Sequence, residues 1–143
     1  MRVLIDTNVL ISFLIQPGSQ RAVGSVIRAA LDGRFILLTP AALLDELTVT
    51  IHNRPHLARR IPLDDLDVFV ALLAQAGERV PKIEDPFPAA TRDRNDDYLL
   101  AYALVGRADY LVTGDKDLLT LAGQVSGLKI LTPAHFADLL TED

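Results

Sequence analysis

Short apolar runs separated by stretches of helical period constrain this 143-residue chain more than any other feature. Arg2–Ile5, Phe35–Leu38, Tyr110–Thr113 and Leu128–Leu131 are short and rich in branched or aromatic residues, the pattern of strands buried on both faces. Val80–Ile83 is a poorer fifth run, interrupted by Pro81 and so suited to a sheet edge. Between the runs, Val23, Val26, Ile27, Ala30 and Leu31 recur at helical spacing and stop at Gly33. Thr39-Pro40 reads as a cap and first helical residue, followed by a buried stripe of Leu43, Leu44, Leu47 and Ile51. Another helix follows Pro62, with Leu66, Phe69, Val70, Leu73 and Ala76 inward and Gly77 as its stop. Strands alternating with helices predict a parallel sheet covered by helices on both faces.

The shorter elements fit the same scheme. Val9–Ile15 is a short apolar helix ended by Pro17-Gly18, and Ser19 is placed to cap the next one. Leu118–Ala122 predicts a further short helix, and Thr132-Pro133 opens the last. Glu84–Ala90 holds two prolines and reads as a loop, not a linker, so residues 1–143 are expected to form one domain.

Half the residues are hydrophobic, enough to fill a core at this length. No apolar run approaches the ~20 residues that span a bilayer. An acid at position 6 is too early for a signal peptide, so a cytoplasmic location is expected. With no cysteine, disulfides, thiolate metal sites and a cysteine nucleophile are excluded. The net charge of −5 lacks the basic footprint of a typical nucleic-acid binder. Two divalent cations held by carboxylates would bring it to about −1 and turn an acidic pocket into one that binds anions.

The chemistry concentrates in residues 92–119. Asn95 is placed to cap a helix over Asp96–Val105, with Asp96 and Asp97 in the first turn where the macrodipole favours negative charge. Gly106 is expected to end it in the left-handed conformation, and the buried strand Tyr110–Thr113 then leads to Asp115 and Asp117. Acids therefore stand at a helix start (Asp93, Asp96, Asp97) and past a strand end (Asp115, Asp117). Packing that helix antiparallel to the strand it feeds puts both groups on one edge, where they repel unless a cation neutralises them. Asp6 leaves the first strand in the same way. One more acid pair, Asp45-Glu46, flanks the Leu43–Ile51 stripe, and periodicity does not choose between its members.

These residues together resemble the PIN domain (PilT N-terminus), a Mg²⁺-dependent ribonuclease fold, and in particular its toxin–antitoxin toxin branch, VapC-like. The likeness rests on Asp6-Thr-Asn, Glu46-Leu, Arg54-Pro, Arg92-Asp, Asp96-Asp97, Ala108-Asp-Tyr and Val112-Thr-Gly-Asp-Lys-Asp-Leu-Leu, in that order. It implies a three-layer α/β/α fold whose five-stranded, mainly parallel sheet has the order 3-2-1-4-5. It also implies that Asp6, Glu46, Asp97 and Asp115 are the catalytic, metal-binding quartet, with Asp45 as the fallback for Glu46. Asp93, Asp96 and Asp117 are then candidates for an outer shell or a second ion.

Oxygen-only carboxylate sites suit Mg²⁺ or Mn²⁺. Thr7, Asn8 and Thr113 are placed to orient carboxylates or water by hydrogen bonds. Arg54, Arg59 and Arg60, from the one concentrated basic segment (52–60), are candidates for RNA phosphates. Arg92 and Arg94, beside the acids, either bind phosphate or pair with carboxylates. His52 and His56 are four apart, but Pro55 breaks the helix between them and no third ligand is near, which argues against zinc.

The expected activity is hydrolysis of RNA phosphodiesters, the alternative a non-catalytic PIN domain that binds RNA or protein. The resemblance further implies a cognate antitoxin and a homodimer or higher homo-oligomer. A phosphoacceptor receiver domain fits less well, because Asp6 has no paired acid and no lysine follows the last strand. A haloacid-dehalogenase-like phosphatase would need a second acid where Asn8 stands.

Overall fold

The computed structural model describes residues 1–16, 18, 21–84 and 94–141, with the backbone alone at Arg94 and Asn95. Five strands, β1 (Arg2–Ile5), β2 (Ile36–Pro40), β3 (Glu78–Val80), β4 (Tyr110–Val112) and β5 (Lys129–Leu131), form one sheet of order β3-β2-β1-β4-β5. All four pairings are parallel, with Val3 opposite both Leu37 and Tyr110. Helices cover the sheet in a three-layer α/β/α arrangement: α1 (Thr7–Ile15), α2 (Arg21–Leu31), α3 (Ala41–Asn53), α4 (Pro55–Arg60), α5 (Leu63–Ala76), α6 (Arg94–Val105), α7 (Lys116–Leu119) and α8 (Pro133–Thr141).

The central strands are apolar throughout because both their faces are covered. Val3, Leu4, Ile5, Leu111 and Val112 are all essentially inaccessible. Phe136 of α8 is also fully buried, with its ring centroid 5.4 Å from those of both Phe35 and Tyr110. Phe13 of α1 stacks on Phe69 of α5 at 5.4 Å. Burial of the enclosed rings, Phe35, Phe69 and Phe136, stabilises the fold by about 1.5–3 kcal/mol each.

Expected helix signals hold at Gly33, whose φ of 75° supplies the left-handed residue after α2. They hold too at Thr132, whose Oγ1 accepts from the His135 N–H at 3.1 Å and caps α8. Elsewhere the local signal loses to tertiary structure. Thr39 and Pro40 extend β2, pairing with Arg79 and Val80, so Thr39 does not cap α3. The edge strand β3 lies two residues ahead of the Val80–Ile83 run. Gly77 allows the close approach that starts it, since a Cβ there would overlap the Thr39 side chain and lie 3.0 Å from Leu37 O. Helix α6 starts at Arg94, ahead of the expected cap Asn95.

The residue after α6 in the left-handed conformation is Arg107 (φ 56°), not Gly106. Glycine at 106 answers a packing need instead: a Cβ would come within 2.9 Å of Leu38 Cδ1 and 3.1 Å of Tyr102 O. Helix α7 begins two residues ahead of expectation, at Lys116, because Asp115 caps it. The expected cap Ser19 lies outside the described residues.

In this sheet the winding reverses at β1, which pairs with β2 on one side and β4 on the other. Ligands of open parallel sheets gather beyond the carboxyl ends of the strands at such a reversal. Asp6 and Asp115 leave the sheet there.

Candidate metal centre

Asp6 follows β1 and caps α1, its Oδ1 accepting from the Asn8 N–H at 3.3 Å. Its own backbone N–H donates to Val112 O at 2.9 Å, so the turn starts while the residue is still tied to β4. One strand over, Thr113 is fully buried and Asp115 caps α7, accepting from the Asp117 N–H at 2.8 Å. The Thr113 hydroxyl joins the two turns: it donates to Asp6 Oδ2 at 2.7 Å and accepts from the Asp115 N–H at 3.0 Å.

Asp6, Glu46, Asp96 and Asp115 line one cavity of about 150 Å³. They come from four separate segments: the β1 exit, the second turn of α3, the first turn of α6 and the β4 exit. Asp6 and Asp96 are buried, Glu46 and Asp115 half-buried. The N-termini of α1 and α6 point their macrodipoles into this region, which moderates the cost of crowding acids. It does not abolish that cost. Burial, with the negative charge of Asp115 added, holds the Asp6 carboxyl above the ordinary carboxylate range against the hydrogen bonds from Thr113, Asn8 and Thr7.

Glu46 lines the cavity with Asp96 and Leu99 of α6, and the Tyr98 phenol is pushed up chiefly by burial and next by the charge of Glu46, with Tyr102 and Asp45 adding to it. Asp45 is exposed on α3 and off the cavity lining, so the placement of the two neighbours separates them where periodicity does not. At the start of α6, Asp96 lines the cavity. Asp97, the expected ligand, is buried but not on that wall.

Carboxylate oxygens of Asp96, Asp115 and Asp117 lie within 4.8 Å of one another, a spacing one cation can bridge. Asp117 itself is exposed. Every ligand offered is a carboxylate oxygen, a donor set suited to a hard divalent cation. His52 and His56 are both exposed and belong to no metal-spaced group among the described residues.

Thr7 and Asn8 also line the cavity, and so does Arg54 of the basic segment. Arg59 and Arg60 are exposed on α4 and do not. Arg92, Asp93 and the Arg94 side chain lie outside the described residues. Two lining residues escaped sequence reading, Thr50 and Leu99. Both sit one helical turn beyond an acid, Thr50 after Glu46 and Leu99 after Asp96, and that spacing was the available signal.

A family model described as a PIN domain matches residues 2–117, a span that takes in all the residues of this cavity. The chain belongs to the PIN-domain family. No curated protein matches it. Membership points to nuclease activity in general, since PIN domains are generally metal-dependent nucleases, and the acidic cluster of this PIN domain offers the ligands that such chemistry uses. Among the described residues, no helix is long and apolar enough to cross a membrane.

Proposed function

We propose that this PIN domain is a Mg²⁺- or Mn²⁺-dependent endoribonuclease that hydrolyses RNA phosphodiesters. The observation behind the reading is the convergence of Asp6, Glu46, Asp96 and Asp115 from four segments onto one small cavity at the carboxyl edge of the sheet. In this reading Asp96, Asp115 and Asp117, whose oxygens lie within 4.8 Å of one another, hold the divalent ion. Asp6 and Glu46, on the cavity shared with Asp96 and Asp115, complete its shell or hold a second ion, and Asp96 takes the place that the resemblance gave to Asp97. When bound, such an ion supplies an activated water nucleophile and positive charge for the phosphoryl oxygens. Thr113 fixes the Asp6 carboxylate, the Asn8 backbone N–H holds its other oxygen, and the buried wall of Leu99 limits access of bulk water.

The reading extends to the toxin branch, on the resemblance of the whole motif series alone. A cognate antitoxin that covers the acidic cavity, a homodimer or higher oligomer, and a cytoplasmic location belong to the same proposal.

The test is a cleavage assay on single-stranded RNA with Mg²⁺, with Mn²⁺, and with EDTA. Cleavage that needs the metal and disappears in Asp6→Asn supports the proposal. A folded wild-type protein inert under all three conditions refutes it and leaves the non-catalytic alternative. Growth arrest on expression, relieved by a co-expressed partner, tests the toxin assignment separately.

A further inference from the structure

An acidic cavity repels the substrate proposed for it, so the polyanion needs an anchor near the mouth. Helix α3 leads to one. Glu46 and Thr50 stand one turn apart, about 6 Å of rise, Arg54 follows four residues on at the C-cap, and all three line the cavity. Their exposure grades outward: Glu46 and Thr50 are half-buried, Arg54 exposed.

The backbone at Arg54 is set by its neighbour. Pro55 disfavours helical geometry in the residue before it, and Arg54 is extended at φ −111°, ψ 105° between the end of α3 and the start of α4. Arg54 thus stands at the junction of α3 and α4, where its exposed side chain lines the cavity. Among the described residues Arg54 enters no ion pair, although it stands on a wall shared with four carboxylates. Its donors are left for a ligand. It is the only basic residue on the described lining.

We propose that Arg54 is a positioning residue, the anchor for a backbone phosphate of single-stranded RNA entering the acid cavity. A guanidinium meets a phosphate through two parallel N–H donors, which fixes orientation as well as supplying charge. The inference rests on the cavity being where RNA is taken, as proposed above. It goes further in assigning the anchor to Arg54 alone of the 52–60 segment and in giving that segment's Pro55 a role.

The experiment pairs steady-state cleavage of a labelled single-stranded RNA across a salt series with fluorescence anisotropy in an inactive Asp6→Asn background. Arg54→Ala is expected to raise KM about tenfold with kcat little changed. It should weaken binding similarly and flatten the slope of log affinity against log salt by about 0.7, the share of one phosphate contact on a single strand. Arg54→Lys should restore the slope and only part of the affinity, because it returns the charge without the fork. Lys129→Ala, at the opposite edge of the sheet, should change neither.

Cleavage by the wild type with KM and salt slope unmoved in Arg54→Ala overturns the anchor and spares the nuclease reading. Loss of binding with Arg54→Ala in a protein that never cleaves sustains the anchor and sinks the nuclease reading. A wild-type protein and Asp6→Asn variant that bind no RNA overturn both.

Discussion

The Thr113 hydroxyl donates to Asp6 Oδ2 across 2.7 Å in a fully buried setting and so fastens the exit of β4 to the exit of β1. Because the same oxygen accepts from the Asp115 N–H, one side chain sets the position of two acids that stand on different turns. Thr113→Val keeps the shape and removes both bonds. It is expected to cost about 1–3 kcal/mol of stability and about 10–100-fold in metal affinity or cleavage. Thr113→Ser should stay close to wild type. Loss in Thr113→Ser with Thr113→Val close to wild type would show that the methyl group, not the hydroxyl, matters.

Asp96 and Asp97 are adjacent in sequence and equally buried, yet only Asp96 lines the cavity. Asp96→Asn is therefore expected to lower cleavage by more than about 100-fold, beyond the effect typical of outer-shell partners, with the fold retained. Asp97→Asn should fall well short of that. A kinetic comparison of the two purified variants decides it, and the reverse order would return the ligand role to Asp97.

Asp6 predicts a pH dependence of stability. Its folded-state carboxyl is held above its unfolded value by burial, so ionisation of Asp6 costs stability as pH rises through the folded value. In EDTA, Asp6→Asn should melt higher than wild type at neutral pH, and the gap should close below about pH 4, where the unfolded carboxyl is also protonated. Adding Mg²⁺ should raise the wild-type melting temperature, by mass action on the folded state, more than that of the variant. A variant that melts lower than wild type in EDTA at neutral pH contradicts the electrostatic account.

Gly77 offers a test of the sheet edge, away from the acids. A Cβ at this position would overlap the Thr39 side chain, so Gly77→Ala should destabilise by about 1–3 kcal/mol. Chemical denaturation measures it. Gly18→Ala, where a Cβ meets nothing within 4 Å, is the matched control.

Most of the architecture was legible because its signals are local. Buried strands read as apolar runs, and Gly33 and Thr132 act as the expected stop and cap. What escaped was decided by contacts distant in sequence. Thr39-Pro40 has the composition of a helix start, but pairing with Arg79 and Val80 keeps it in β2. Gly106 looks like a left-handed stop, while the crowding of Leu38 and Tyr102 explains the glycine and Arg107 takes the turn. In the site, the acids were visible as types and spacings. Periodicity left Asp45 and Glu46 open and the resemblance chose Glu46, which lines the cavity with Asp96. Which member of an acid pair faces the cavity depends on the rotation of a helix against the sheet.

The PIN-domain match ends at residue 117, yet the polypeptide beyond it is woven into the interior. β5 seals the outer side of β4, Phe136 wedges between Phe35 and Tyr110, and Arg34 Nη2 reaches Leu140 O at 3.0 Å. The segment bearing the acids is thus not an excisable cassette. A fragment cut after Asp117 would lay bare the flank of the very strand that delivers Asp115, and the acid-lined cavity would go with it.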